Sequence, residues 1–121
     1  MNKKILVVED DIKLNFILSE ALKQEGFSVL SARDGQEGLN ILKKEKINLI
    51  VLDILMPKMN GIEMVRAMKK ESLKVPIIFL SNLSNIESIS DAENEIAADY
   101  FLKSDTPIDK IIEIVKKKIS N

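Results

Sequence analysis

The 121-residue chain has no cysteine, no histidine and no tryptophan, and only 4% of its residues are aromatic. Without cysteine there is no disulfide framework, zinc finger, iron–sulfur centre or thiol chemistry. Without histidine there is no Ser-His-Asp triad, histidine metal site or imidazole general base. An excess of either charge is missing too. The 18 Lys and Arg nearly balance 19 Asp and Glu, so no basic footprint for direct nucleic-acid binding is visible. Long apolar runs are absent. The stretch Ile5-Leu6-Val7-Val8 ends at Glu9-Asp10-Asp11, too short for a signal-peptide core and far below the roughly 20 residues of a membrane helix. These absences point to a cytoplasmic protein that does not insert into membranes. What is there is an aliphatic composition, 45% apolar, long enough for one self-sufficient domain over residues 1–121.

Short apolar runs alternate with helical patterns. Ile5–Val8, Leu49-Ile50-Val51-Leu52 and Val75-Pro76-Ile77-Ile78-Phe79-Leu80 are continuous apolar runs, Phe27-Ser28-Val29-Leu30 alternates as an edge strand does, and Tyr100-Phe101-Leu102 is a last short strand. Between them, Leu14, Ile17, Leu18, Ala21 and Leu22 recur at helical spacing until Gly26. Asp34 with Glu37 three residues on opens a second helix carrying Leu39, Ile41 and Leu42, with Gly38 inside it at about 1 kcal/mol relative to Ala. Asn60-Gly61 opens a third, with Met64, Val65 and Met68. Ser84 and Glu87 form a capping box for a fourth, and Thr106-Pro107 opens a fifth with a clean Ile108, Ile111, Ile112, Val115, Ile119 stripe. Continuous apolar strands alternating with helices predict a doubly wound, five-stranded parallel α/β sheet covered on both faces. Its expected strand order is 2-1-3-4-5.

Ligands of such sheets bind beyond the carboxyl ends of the strands, where the strand order reverses. Here the first strand ends in Glu9-Asp10, the third in Asp53, the fourth in Ser81 and the fifth in Lys103. Three converging carboxylates repel one another unless a cation neutralises them. An all-oxygen donor set suits Mg²⁺ or Mn²⁺, which binds few carboxylates and leaves room for a phosphoryl oxygen. Lys103 by charge and Ser81 by hydrogen bond can hold two more phosphoryl oxygens. Asp53, central in the set, is the candidate nucleophile for an aspartyl-phosphate. Asp11 reads as a helix cap.

These residues carry a resemblance. Val51-Leu52-Asp53-Ile54-Leu55-Met56-Pro57-Lys58-Met59-Asn60-Gly61, supported by Lys4–Asp11 and Pro76–Ser81, resembles the receiver domain of two-component response regulators, of the single-domain, chemotaxis-regulator type. The resemblance implies a flavodoxin-like (βα)5 fold and a signalling switch rather than an enzyme acting on outside substrates. It implies that Asp53 takes a phosphoryl group from a phosphohistidine of a sensor histidine kinase or histidine phosphotransferase. It further implies that Asp10 ligates Mg²⁺ directly, Glu9 through water, and the Leu55 backbone carbonyl completes the site. Lys103 would pair with the phosphoryl group, Ser81 would move onto it, and Tyr100 would be the switch aromatic.

The sequence departs from the pattern in places. Ser104 follows Lys103 where proline is common, so a trans bond is expected there. Asn82 stands where a small residue is usual, and Ile96-Ala97 where Gly-Ala is usual. The resemblance puts the side chains two residues after Asp53 and Ser81 beside the path of the hydrolytic water; here they are Leu55 and Leu83, which offer it no hydrogen bond, so slow self-dephosphorylation is expected. Residues 84–99 hold acids and no Lys or Arg, which speaks against a dimer built on basic residues of the fourth helix. A monomer or a weak phosphorylation-dependent dimer is expected, with an unidentified downstream protein binding the fourth helix, fifth strand and fifth helix. Three other readings fare worse. A phosphohydrolase would need a second Asp two residues after the nucleophile, where Leu55 stands. A flavin-binding domain would need a phosphate-cradling loop where Glu9-Asp10-Asp11 stands. A phosphorylation-independent scaffold would not need the intact set.

Overall fold

The computed structural model describes residues 3–53, 59–81, 99–102 and 107–120, with residues 81 and 99–102 as backbone. The elements are β1 (Lys4–Val8), α1 (Ile12–Gln24), β2 (Ser28–Ala32), α2 (Gly35–Lys44), β3 (Leu49–Leu52), α3 (Gly61–Lys70), β4 (Ile77–Ser81), β5 (Asp99–Leu102) and α4 (Ile108–Ser120). All strand pairs are parallel and the order is β2-β1-β3-β4-β5, the doubly wound sheet that the apolar runs predict. The helix expected to open at Ser84, and Thr106 before α4, lie outside the described residues.

Period-two alternation sorts the strands into two layers. Leu6, Val8, Ile50, Leu52, Ile77 and Phe79 face α2 and α3, packing on Leu39, Leu42, Met64, Val65 and Met68. Ile5, Val7, Leu49, Val51, Ile78 and Leu80 face α1 and α4, packing on Leu18, Leu22, Ile111, Ile112 and Val115. Each fully buried aliphatic side chain contributes roughly 1.5–3 kcal/mol. Exposed ion pairs such as Lys4–Glu45 and Lys43–Glu71, both at 3.2 Å, are each worth about 0–1 kcal/mol. The layers therefore hold the fold. At the base of the sheet a reciprocal pair sets the starts of β1 and β3: Lys4 N donates to Asn48 Oδ1 and Asn48 N to Lys4 O, both at 2.8 Å.

Helix ends follow the sequence signals, with two differences. Asp11 caps α1, its Oδ1 accepting from Leu14 N at 3.2 Å. Gly26 (φ 97°) reverses the chain after α1 and donates to Lys23 O, a left-handed stop that suits glycine. Asp34 caps α2 through Glu37 N, but Glu37 returns its carboxylate to Arg33 N rather than to Asp34 N. The reciprocal capping box forms instead at α3, between Asn60 and Glu63. The second difference is Ile17, which the sequence stripe places inward and the structure leaves half exposed, as Asn15 and Ser19 take inward positions on α1.

Candidate functional site

Backbone register brings the carboxylates together. Val8 is abreast of Leu52 in the β1–β3 ladder, so the next residues, Glu9 and Asp53, emerge side by side. The ladder continues one step past the strands: Asp53 N donates to Val8 O, and Glu9 N to Ala32 O, each at 3.0 Å. Glu9 and Asp53 are buried at 2% and 5% exposure, while Asp10 is exposed. One carboxylate oxygen from each of the three lies within 4.8 Å of the others. At an effective dielectric of about 20, two negative charges this close repel by roughly 3 kcal/mol, which a divalent cation would reverse. The donors are all oxygens, two buried and one open to solvent, a set that fits Mg²⁺ or Mn²⁺ and leaves a side for a second ligand.

The turn is built so that these acids, and not Asp11, converge. Asp11 N donates to Glu9 Oε2 at 3.0 Å, which fixes the buried carboxylate with a charge-assisted bond. Asp11's own carboxylate is taken by the α1 cap. Beneath the turn is a buried polar chain that sequence reasoning missed. Asn15 Nδ2 donates to Glu9 O at 2.9 Å and to Ala32 O at 3.1 Å. Ser19 Oγ donates to Asn15 Oδ1 at 3.2 Å and lies 3.0 Å from Ser31 Oγ. The available signal was two polar residues one turn apart, between Leu14, Leu18 and Leu22, on the side of α1 that should be apolar.

Met59 ties the start of α3 to the start of α2. Its carbonyl accepts from Gly35 N at 2.9 Å. A Cβ on Gly35 would stand 2.5 Å from that oxygen, closer than any side chain is tolerated. Gly38, which reads as a flaw in α2, gives room to Met64 and Val8, each 3.1 Å from where its Cβ would be.

Of the other sequence-predicted site residues, Ser81 closes β4, two residues beyond Phe79, which is abreast of Leu52. Tyr100 lies in β5, abreast of Phe79. Leu55, Leu83, Lys103 and the Lys103–Ser104 bond lie outside the described residues.

A doubly wound α/β domain with an acidic pocket at the end of β1 and β3, where the strand order reverses, is thus defined by fold and site alone. The response regulator receiver domain family model matches residues 5–116, and the chain belongs to this family, the receiver domains of two-component response regulators. It is 38% identical to a probable transcriptional regulator ycf27 of Porphyridium aerugineum, over 98% of this chain and 52% of that protein. It is 32% identical to sporulation initiation phosphotransferase F of Bacillus subtilis, over 97% of this chain and 94% of that protein. The chain thus spans about half the length of the first and nearly all of the second. Among solved structures, a CheY-like receiver domain protein from Methanospirillum hungatei superposes with a TM-score of 0.92 at 28% identity, covering 99% of this chain and 95% of that one. Among the described residues no helix is long and apolar enough to cross a membrane.

Proposed function

We propose that residues 1–121 form a receiver that takes a phosphoryl group onto Asp53 from a phosphohistidine of a sensor histidine kinase or histidine phosphotransferase. The observation that carries this reading is the convergence of Glu9, Asp10 and Asp53 within 4.8 Å at the ends of adjacent strands. An Asp53 carboxylate oxygen attacks phosphorus, the phosphorus–nitrogen bond breaks, and the imidazole leaves as it takes up a proton. An aspartyl-phosphate remains. Mg²⁺ held by Glu9, Asp10, Asp53 and the Leu55 carbonyl would neutralise charge on the attacking carboxylate and the phosphoryl oxygens. Lys103 pairs with the phosphoryl group and Ser81 hydrogen-bonds it, with Tyr100 following Ser81 in the switch. The chain acts on no outside substrate and assists only its own phosphorylation and dephosphorylation.

Residues 1–121 hold no histidine, so the phosphohistidine donor lies outside this sequence. Ile12, Phe16 and Ile17 are exposed on α1 directly after the acidic turn, an apolar surface on which such a donor can rest. The output is read in the cytoplasm by a downstream protein, through β5, α4 and the segment 84–99, for which the sequence predicts a helix.

The test is intact-mass analysis after incubation with acetyl phosphate and Mg²⁺. One phosphoryl adduct is expected, absent in Asp53→Asn and with EDTA. No adduct on the wild-type chain would overturn this reading in favour of a phosphorylation-independent scaffold. Leu55 and Leu83 predict a slowly decaying adduct. Decay within seconds, unchanged by Leu83→Glu, would remove that feature.

A further inference from the structure

Of the acids in the pocket, Asp10 has the least support from packing. Glu9 and Asp53 are buried between elements, whereas Asp10 is exposed on the turn between β1 and α1. Its direction must come from its backbone. The peptide joining Glu9 to Asp10 is planar, so whatever holds the Glu9 carbonyl sets the plane from which Asp10 departs. That carbonyl accepts from Asn15 Nδ2 at 2.9 Å, and the same amide group donates to Ala32 O at 3.1 Å. Ala32 O also accepts from Glu9 N. One primary amide therefore ties the turn to the end of β2 with both of its protons. Its oxygen accepts from Ser19 Oγ, and a flipped amide would set that oxygen against the two carbonyls, so the orientation is fixed by the carbonyls themselves. Asn15 itself is buried, and Asn15 N donates to Asp11 O at 2.9 Å, so the helix fixes the amide's origin as well.

We infer that Asn15 is a positioning residue for the metal pocket: its amide fixes the Glu9–Asp10 peptide so that the exposed Asp10 carboxylate stays with Glu9 and Asp53. The inference rests on the proposed cation site and names the residue that keeps it assembled. Ser19 supports the amide without touching the turn, so Ser19 provides the control for a purely structural role.

The test is calorimetric titration of MgCl2 into the unphosphorylated chain, with each variant held well below its own Tm. Asn15→Ala is expected to weaken Mg²⁺ binding about tenfold, the scale at which groups that orient metal ligands act. Ser19→Ala is expected to lower Tm while leaving Kd within about twofold of the wild type. Equal Kd for a folded Asn15→Ala and the wild type would overturn the role of Asn15, as would a Ser19→Ala that weakens binding equally. Should Asn15→Ala fail to fold, Asn15→Ser, whose hydroxyl has one proton to give, decides in its place: weaker binding supports the role and wild-type Kd overturns it. A wild-type chain that binds no Mg²⁺ overturns the cation site and this role together. A wild type that binds, with variants that bind equally, overturns the role alone.

Discussion

The two faces of the sheet are built on different terms. Toward α2 and α3 the strand residues pack on apolar helix side chains, and the layer is closed by near-contacts: Gly38 lets Met64 and Val8 approach, and Gly35 meets the Met59 carbonyl. Toward α1 and α4 the layer is aliphatic at the level of Leu18, Leu22 and Val115, but higher up it gives way to Asn15, Ser19 and Ser31. The outer side of α1 carries the exposed Ile12, Phe16 and Ile17. One face spends its interior on packing alone. The other gives up apolar contact near the pocket to hold the turn that presents the acids. Polar groups are placed where direction matters, and apolar ones where only volume does.

Mutations on each face should differ in kind as well as size. Phe79→Ala, in the apolar layer, is expected to destabilise the chain by about 3–5 kcal/mol in urea denaturation. A loss below about 1 kcal/mol would mean that this face is less tightly filled than its burial implies. Gly35→Ala forces a Cβ against a backbone oxygen and is expected to cost about 1–3 kcal/mol by the same measurement. Gly38→Ala meets only the flexible end of Met64 and a Val8 methyl. It should cost less than Gly35→Ala, because a helix propensity gain of about 1 kcal/mol opposes the crowding. Across the sheet, Ser19→Ala removes the hydrogen bonds to Asn15 and Ser31, for an expected loss of about 1–2 kcal/mol. Phe16→Ser should change stability by less than about 0.5 kcal/mol, yet slow phosphoryl transfer from a protein donor while leaving transfer from acetyl phosphate unchanged. Equal slowing with both donors would show that Phe16 acts on the pocket and not on docking.

Much of this architecture was legible because apolar runs and their polar ends are local. Ile5–Val8, Leu49–Leu52 and Ile77–Leu80 declare buried parallel strands, and the residues that end them declare which edge carries chemistry. Asp11 could be separated from Glu9 and Asp10 because capping is a property of the next three residues. The rest depends on neighbours distant in sequence. Ile17 fits the α1 stripe by spacing, but Ala32 and Ser31 present polar partners to one side of that helix, so Asn15 and Ser19 turn inward and Ile17 turns out. Gly38 looks unfavourable until Val8 and Met64 are set beside it. Glu37 fits a capping box by spacing, yet the Arg33 amide is the one its carboxylate meets.

The one-step extension of the ladder, through Asp53 N to Val8 O and Glu9 N to Ala32 O, couples error in the core to error in the pocket. Side chains alternate with period two, so a slip of β1 by one residue would exchange its layers and present Ile5 and Val7 to α2 and α3. The same slip would carry Glu9 about 3.3 Å along the strand, away from Asp53. A one-residue slip of β1 therefore loses both the packing of its layers and the acidic triad. The chain proofreads its chemistry with its hydrophobic core.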